Sequence, residues 1–198
     1  MERTGRPRDP LIDDAVRDAT VELLTQVGYA RLTLEEVARR AGTTKPAIYR
    51  RWRTRQHLVL DALGRRLGTN TTRVPDSGCV ICDLIGGITV FVTVFRRVPP
   101  GVLGALLTDC TGQPGLRTAF MRTLFEPARN AVGEMVDRAK ARGDLRADLD
   151  RDLAVDLLGA LVHYRALFAH ASTDSESVTS AVMTLLRGMA ARKLDHAH

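Results

Sequence analysis

Aromatic residues and cysteines are scarce in this sequence, and each shortage argues against a class of protein. Phe, Trp and Tyr together make up 5% of the 198 residues. Ala, Leu and Val abound instead, and this mixture favours helices over β-sheet. Three cysteines are an odd count, which argues against the disulfide framework that holds small secreted domains together. We therefore expect an all-α protein from a reducing compartment.

The sequence also lacks a long hydrophobic run. The most apolar stretch, Leu84–Phe95, has twelve residues, which is too short to span a bilayer. The stretch from Met1 to Pro10 is charged and has no apolar segment of signal-peptide length behind it. We therefore expect a cytoplasmic protein with no membrane partner.

Motifs for catalysis and for cofactor binding are missing as well. Ser, His and Asp residues of the C-terminal half form no recognisable nucleophile motif, and there is no glycine-rich phosphate loop. Cys79 and Cys82 have CxxC spacing, but they lack the second pair of a zinc site and the βαβ pattern of a redox domain. We predict no enzyme, cofactor or metal, with buried or inert thiols at these positions.

Positive charge is concentrated in one segment. The formal net charge is +6, and residues 31–55 hold eight Lys or Arg against two Glu, so this segment accounts for the whole excess. Such a block is the electrostatic footprint expected of a nucleic-acid surface, although a solvated charged face would have the same composition. The structure on which the block is built decides between the two interpretations.

The local pattern of the N-terminal third predicts short helices joined by a tight turn. A first helix from Pro10 ends at Gly28, behind a basic arm over residues 1–9. Thr33 and Glu36 have the spacing of a capping box at the start of a second helix. Gly42 can turn the chain by adopting a left-handed conformation. A third helix then follows, and Thr54 is a plausible cap for a fourth helix. This arrangement is a helix-turn-helix over residues 33–52.

The third helix has one side suited to reading DNA. Ile48 and Trp52 face the core, which leaves Lys45, Tyr49 and Arg50 pointing outward. Thr43 and Thr44 precede them at the helix start, where Pro46 is tolerated in the first turn. Lys45 can donate to guanine, and Thr44 can touch a thymine methyl or a phosphate. For Tyr49, packing over the helix junction competes with a role in DNA contact.

The sequence predicts a polar loop at Thr69–Gly78 and further helices in the C-terminal part. The β-branched stretch Ile88–Val92 fits either a strand or a helix. A long helix is expected over Leu116–Ala141 with a kink at Pro127. Leu153–Phe168 is apolar on nearly all sides, and an amphipathic helix at Ser177–Ala191 follows it.

The run from Thr33 to Trp52, TLEEVARRAGTTKPAIYRRW, strongly resembles the helix-turn-helix of the TetR (tetracycline-repressor) family. The resemblance implies phosphate contacts by Thr33, Tyr49 and Arg55. Where the family usually has a small residue, this sequence has Pro46. The implied organisation is a DNA-binding domain at 10–68, with a three-helix helix-turn-helix unit, and a helical ligand-binding and dimerisation bundle at 79–192.

These expectations combine into a hypothesis about function. The chain is expected to be a transcriptional regulator that is released from a palindromic operator on double-stranded DNA when an unidentified small molecule binds the C-terminal domain. A DNA-binding regulator without a ligand is one alternative, and an enzyme using the C-terminal cavity is another. The candidate pocket residues are Phe91, Phe95, Phe125, His163 and Tyr164. A homodimer is expected through the last two helices, with Leu157, Leu161, Val178, Val182, Leu185 and Met189 at the interface.

Overall fold

All regular elements of the described chain are helices, which confirms the all-α prediction. A computed structural model describes residues 10–68, 73–168 and 170–189. The basic arm at 1–9 and the start of the polar loop at 69–72 lie outside these residues. None of the described helices combines the length and the apolar composition needed to cross a bilayer. The chain divides into two compact units, and each takes residues from two stretches of sequence.

The first unit comprises the chain up to Arg66 together with Val98–Thr123. Its helices are α1 (Pro10–Arg31), α2 (Leu34–Arg40), α3 (Lys45–Tyr49), α4 (Arg55–Leu67), α6 (Val102–Asp109) and α7 (Pro114–Phe120). The predicted stop at Gly28 is a kink, since Gly28 has a φ of 76° while helical structure resumes up to Arg31. Thr54 accepts a hydrogen bond from the His57 amide at 3.3 Å, which confirms it as the cap of α4.

The second unit comprises Leu67–Arg97 and the chain from Leu124 onward. Its helices are α5 (Val80–Arg97), α8 (Glu126–Ala141), α9 (Arg151–Phe168) and α10 (Ser175–Met189). Helices α5, α8 and α9 pack against one another, and α10 packs on α5. The stretch Ile88–Val92 is helical, because Leu84, Ile88 and Phe91 place a buried stripe on one face of α5.

The long helix predicted over Leu116–Ala141 is interrupted earlier than expected. A π-helical turn at Met121–Phe125 separates α7 from α8. Pro127 lies in the first turn of α8, where a missing backbone N–H leaves no intrahelical hydrogen bond unmade. The irregularity therefore falls in the turn before the proline, and Phe125 is its last residue.

Candidate functional site

Two capped helix starts and a glycine turn hold α3 in place. The Thr33 hydroxyl accepts a hydrogen bond from the Glu36 amide at 3.3 Å, and Thr44 accepts one from the Ala47 amide at 3.4 Å. Between the two helices Gly42 has a φ of 63°, a conformation that favours glycine. The predicted helix-turn-helix is confirmed, and Pro46 fits the first turn of α3 without breaking it.

The capping box is only half made. The Thr33 hydroxyl caps α2 as predicted, but the Glu36 carboxylate pairs with Arg39 at 2.5 Å and with Arg40 at 3.4 Å. These arginines lie one turn further along the same helix. The Glu36 side chain therefore points along α2 toward them instead of folding back to the amide of the cap residue. Arg39 and Arg40 are therefore paired within the protein.

The buried and exposed sides of α3 match the prediction. Ile48 is 1% exposed and Trp52 is 7% exposed, so both belong to the core. Tyr49 is 51% exposed and Arg50 is exposed, while Lys45 is half-buried. Thr33 and Thr44 are exposed and Thr43 is half-buried. The short helix therefore presents a cation, a phenol and a guanidinium to solvent.

Lys45 has a partner that sequence reasoning missed. Its ammonium group pairs with the Glu35 carboxylate of α2 and lies 6.0 Å from the centre of the Tyr49 ring. The hydrogen bond to Glu35 raises the pKa of Lys45, and the same bond lowers the pKa of Glu35. A nucleic acid that contacts Lys45 therefore either displaces Glu35 or shares the ammonium group with it.

The structure gives Arg55 a role beyond the one expected. Its guanidinium lies over the Tyr29 ring at 4.5 Å and donates to the Leu32 carbonyl at 3.2 Å. It also lies 4.0 Å from the Asp109 carboxylate. These contacts tie the start of α4 to the end of α1 and give Arg55 a positioning role within the protein, while its phosphate contact stays a prediction. Arg51 is similarly engaged, in an ion pair with Asp13.

Asp109, at the end of α6, is the centre of a hydrogen-bond network within the first unit. Its carboxylate accepts from the Tyr29 hydroxyl at 2.5 Å and from Gln56 Nε2 at 2.8 Å. The bond from Tyr29 lowers the pKa of Asp109, whereas burial and this carboxylate raise the pKa of Tyr29. The network joins α1, α4 and α6, and no local sequence pattern pointed to it.

The second unit contains a small, largely apolar cavity of about 210 Å³. Helices α5, α8 and α9 and the π-helical turn form its wall, with lining residues Phe91, Phe125, Arg129, Val155, Asp156, Gly159, Ala160 and His163. The expected Phe91, Phe125 and His163 are thus brought together. An ion pair between Arg129 and Asp156 adds charge to the lining. Gly159 was not predicted; a Cβ there would lie 3.3 Å from the Phe91 ring.

His163 is the polar centre of an aromatic cluster. The Phe125 ring stacks on it with ring centres 4.9 Å apart, and Phe91 and Phe95 meet it edge-on at 6.0 and 6.3 Å. Its Nδ1–H donates to the Gly159 carbonyl at 2.6 Å, which in the neutral ring leaves Nε2 as an acceptor. Burial lowers the pKa of His163, so the neutral ring is favoured at neutral pH.

Two predicted pocket residues lie elsewhere. Phe95 contacts His163 but does not line the cavity. Tyr164 is 60% exposed, with its ring 5.1 Å from that of Phe168 and 4.7 Å from that of His170. Consecutive residues of a helix point in different directions, so Tyr164 cannot share the inward side of α9 with His163.

The predicted interface residues separate into two groups. Leu157 is 43% exposed, and Leu161 and Leu185 are half-buried. Val178 and Val182 are 5% and 0% exposed, because α10 turns them toward α5. We therefore correct these two valines to core residues of the unit itself. The side chain of Met189 lies outside the described residues.

The prediction of buried or inert thiols at Cys79 and Cys82 is wrong as to burial, and their inertness stays a prediction. Cys110 is buried, but Cys79 and Cys82 are both exposed at the start of α5. Within the described residues no group of three or more His, Cys, Asp or Glu is arranged to hold a metal.

Comparison with known proteins agrees with both units. Residues 16–62 match the family model described as bacterial regulatory proteins of the tetR family. Residues 74–185 match the model described as the tetracyclin repressor-like C-terminal domain.

Individual relatives support the same assignment. The HTH-type transcriptional regulator AqdR of Rhodococcus erythropolis is 32% identical, over 81% of this chain and 76% of that protein. The DNA-binding transcriptional repressor TetR of Mycobacteroides abscessus is 28% identical, over 76% of this chain and 80% of that protein. The crystal structure of the TetR family transcription regulator SCO0332 superposes with a TM-score of 0.72 and 32% identity, covering 90% of this chain and 98% of that one.

Proposed function

The chain belongs to the TetR family and is a DNA-binding transcriptional regulator, and from that premise we propose that it is a homodimeric repressor released from its operator by a small apolar ligand. The observation that carries the proposal is the aromatic-lined, partly open cavity around His163 in the second unit. The relative from Mycobacteroides abscessus is named as a repressor, which supports repression as the output.

The proposed DNA contacts lie on α3 and at its capped start. Lys45 reads the major groove, Tyr49 and Arg50 contact phosphates, and Thr33, Thr43 and Thr44 fix the helix-turn-helix against the backbone. Exposure of Tyr49 and Arg50 and burial of Ile48 support this assignment. Arg55 also holds Tyr29 and the start of α4.

The proposed dimer interface is an apolar stripe on α9, which we call the α9 stripe. It consists of large side chains that recur every three or four residues along one side of the helix, the exposed Leu153, Leu157, Tyr164 and Phe168 and the half-buried Leu161. The proposed occupant is a second copy of the chain. One helix-turn-helix reads only a few base pairs, and a two-fold dimer supplies a second head at the spacing of a palindromic site.

The cavity sets the chemistry of the proposed ligand. Phe91 and Phe125 favour a flat apolar or aromatic group, and the acceptor at His163 Nε2 favours a ligand with a hydroxyl or N–H donor. A ligand that binds one arrangement of the dimer better than another shifts the population of dimers that fit the operator.

The first experiment isolates the operator and then tests the cavity. Sequencing of genomic DNA fragments retained by the purified protein supplies the operator for gel-shift assays. The probe for the cavity is 2-naphthol, an aromatic molecule with one hydroxyl donor. We expect it to raise the thermal unfolding midpoint of the wild-type protein and to weaken operator binding.

A matched pair of variants tests whether the probe occupies this cavity. Gly159→Leu fills the space in front of Phe91 and should abolish the thermal shift. Gly104→Ala on α6 is the control, because a Cβ there meets nothing within 4 Å. Equal shifts in both variants would place the probe elsewhere. Operator binding that is insensitive to any cavity ligand would favour a ligand-independent regulator.

A further inference from the structure

Cys79 and Cys82 occupy two defined positions in the first turn of α5. The Asp83 amide donates to the Cys79 carbonyl at 2.9 Å, so Cys79 is the residue that caps the helix. Cys82 is three residues further on, the third residue of the helix. Both side chains are exposed, whereas Cys110 is buried in the first unit. The pair is therefore open to reagents from solvent.

The two thiols belong to the same first turn of α5, one at the cap and one at the third residue of the helix. The side chain of a capping residue folds over the first turn toward the amide of the third helical residue. In agreement with this geometry, the amide of Cys82 and then its thiol donate to Cys79, and they lower the pKa of the Cys79 thiol. The same contact raises the pKa of the Cys82 thiol. One member of the pair is thus suited to react as a thiolate, and the other is the adjacent thiol.

The turn that carries the thiols is anchored on its inner side. The Asp83 carboxylate is buried, accepts from the Ser77 amide at 2.9 Å and from the Ser77 hydroxyl at 2.7 Å, and pairs with Arg142 at 2.9 Å. The Ser77 hydroxyl in turn accepts from the Cys79 amide at 3.2 Å. These bonds hold the backbone of residues 77–83 in one conformation, which keeps the two thiols next to each other.

We propose that Cys79 and Cys82 are a reversible dithiol–disulfide site whose oxidant is a hydroperoxide. The Cys79 thiolate attacks one oxygen of hydrogen peroxide; the O–O bond breaks, Cys79 becomes a sulfenic acid, and the released hydroxide takes a proton to leave as water. The Cys82 sulfur then attacks the Cys79 sulfur, and the S–OH group takes the Cys82 proton and leaves as a second water. Two thiols are oxidised, one peroxide is reduced to two waters, and a dithiol reductant reverses the change.

The site lies on the helix that also contributes Phe91 to the cavity, but it is independent of any ligand bound there. Two cysteines without a further ligand do not make a closed structural zinc site, and no larger metal-binding group is present among the described residues. A thiol pair of this kind is instead suited to forming a bond between its own sulfurs.

The test uses the purified full-length protein, first fully reduced and then treated with hydrogen peroxide. We expect an intact mass lower by two hydrogen atoms, loss of two of the three alkylatable thiols, and a peptide that contains an internal Cys79–Cys82 disulfide. Dithiothreitol should restore all three thiols. In the reduced protein, Cys79 should be alkylated by iodoacetamide at least ~10-fold faster than Cys110.

Single variants separate this chemistry from general oxidation. Cys82→Ser should stop at a Cys79 sulfenic acid that dimedone traps, and Cys110→Ser should behave like the wild-type protein. The proposal is overturned if wild type and Cys82→Ser oxidise alike, or if the disulfide formed links two chains on a non-reducing gel. Tight binding of added zinc that protects both thiols from peroxide would also overturn it in favour of a metal site.

Discussion

Helices α3 and α9 both expose large side chains, but the chemistry of what they expose is opposite. The solvent side of the five-residue helix α3 carries Lys45 and Tyr49, and Arg50 follows as the residue that caps its end. The α9 stripe runs along an 18-residue helix and is formed by leucines and aromatic rings. A cationic surface is suited to binding a polyanion, and salt lowers the affinity of that binding. An apolar stripe is suited to binding another apolar surface, and salt does not weaken that association. The two helices are therefore suited to the two different interactions proposed for this regulator.

The largest expected effect comes from putting a charge into the α9 stripe. Leu157→Glu should yield a helical monomer whose operator affinity falls by roughly 100-fold or more, because the two heads no longer bind as one unit. Sedimentation velocity and gel-shift titration measure the two consequences.

Leu107 of α6 is the matched control for Leu157, since both leucines are 43% exposed. Leu107→Glu should remain dimeric. A Leu157→Glu protein that sediments as a dimer and binds its operator normally would move the interface away from α9. Leu185, half-buried on α10, is less suited to this test because a charge there would also disturb folding.

Removal of the outward side chains of α3 should have the next largest effect. Lys45→Ala should lower operator affinity by about 1–3 kcal/mol, or about 5- to 150-fold, if the ammonium group reads a base. Tyr49→Ala should lower it as well, and neither variant should change the thermal unfolding midpoint. Unchanged affinity in both variants would leave α3 without its proposed role.

A substitution of Glu35, the partner of Lys45, should change operator affinity in the opposite direction. Glu35→Gln frees the ammonium group from its ion pair, so operator affinity should rise a few-fold at low salt. A decrease would mean that Glu35 positions Lys45 for DNA instead of competing with DNA.

Salt dependence gives a smaller but more specific contrast. Operator affinity should fall steeply with salt, and Arg50→Gln should reduce the slope of log affinity against log salt by about 1 per protomer. Arg117→Gln on α7 removes the same charge from an exposed position outside the helix-turn-helix and should leave the slope unchanged. Equal slopes for the wild type and both variants would argue against a phosphate contact at Arg50.

The smallest expected effect is a pH dependence of stability in the second unit. Because burial lowers the pKa of His163 in the folded protein, the unfolded chain takes up a proton first as pH falls. Stability from this group is therefore present above the ordinary histidine pKa of about 6.5 and declines below it. His163→Leu should reduce the change in thermal unfolding midpoint between about pH 8 and about pH 5. His170→Gln, at an exposed position, should leave that change as it is in the wild type. Identical profiles for all three proteins would contradict this origin.

The sequence predicted the first unit better than the second for a physical reason. Thr33 and Thr44 accept hydrogen bonds from amides three residues further on, and Gly42 turns the chain through its own backbone conformation. The caps and the turn could therefore be inferred from local spacing. Asp109 contacts Tyr29 across 80 positions of sequence. A contact of that kind depends on how helices pack, which spacing within one helix does not determine.

The same limit explains the errors in the second unit. The apolar stripes of the last two helices were recognised, but an apolar stripe does not specify the surface that covers it. Val178 and Val182 face α5 of their own chain, while Leu157 of α9 is left exposed. Gly159 was missed because a glycine inside a helix has no local pattern that reveals a ring packed against it.

A single substitution at Gly159 would change the size of the cavity. With no side chain of its own, it lets the Phe91 ring approach α9, and each added methyl group would take space from the cavity. Glycine inside a helix lowers the stability of the helix by about 1 kcal/mol relative to alanine. Replacing Gly159 with alanine would therefore stabilise α9 and at the same time make the cavity smaller. Under the proposed function, one mutation in α9 would thus change the size of the molecule that fits the cavity, while the surface proposed to read DNA on α3 would be inherited intact.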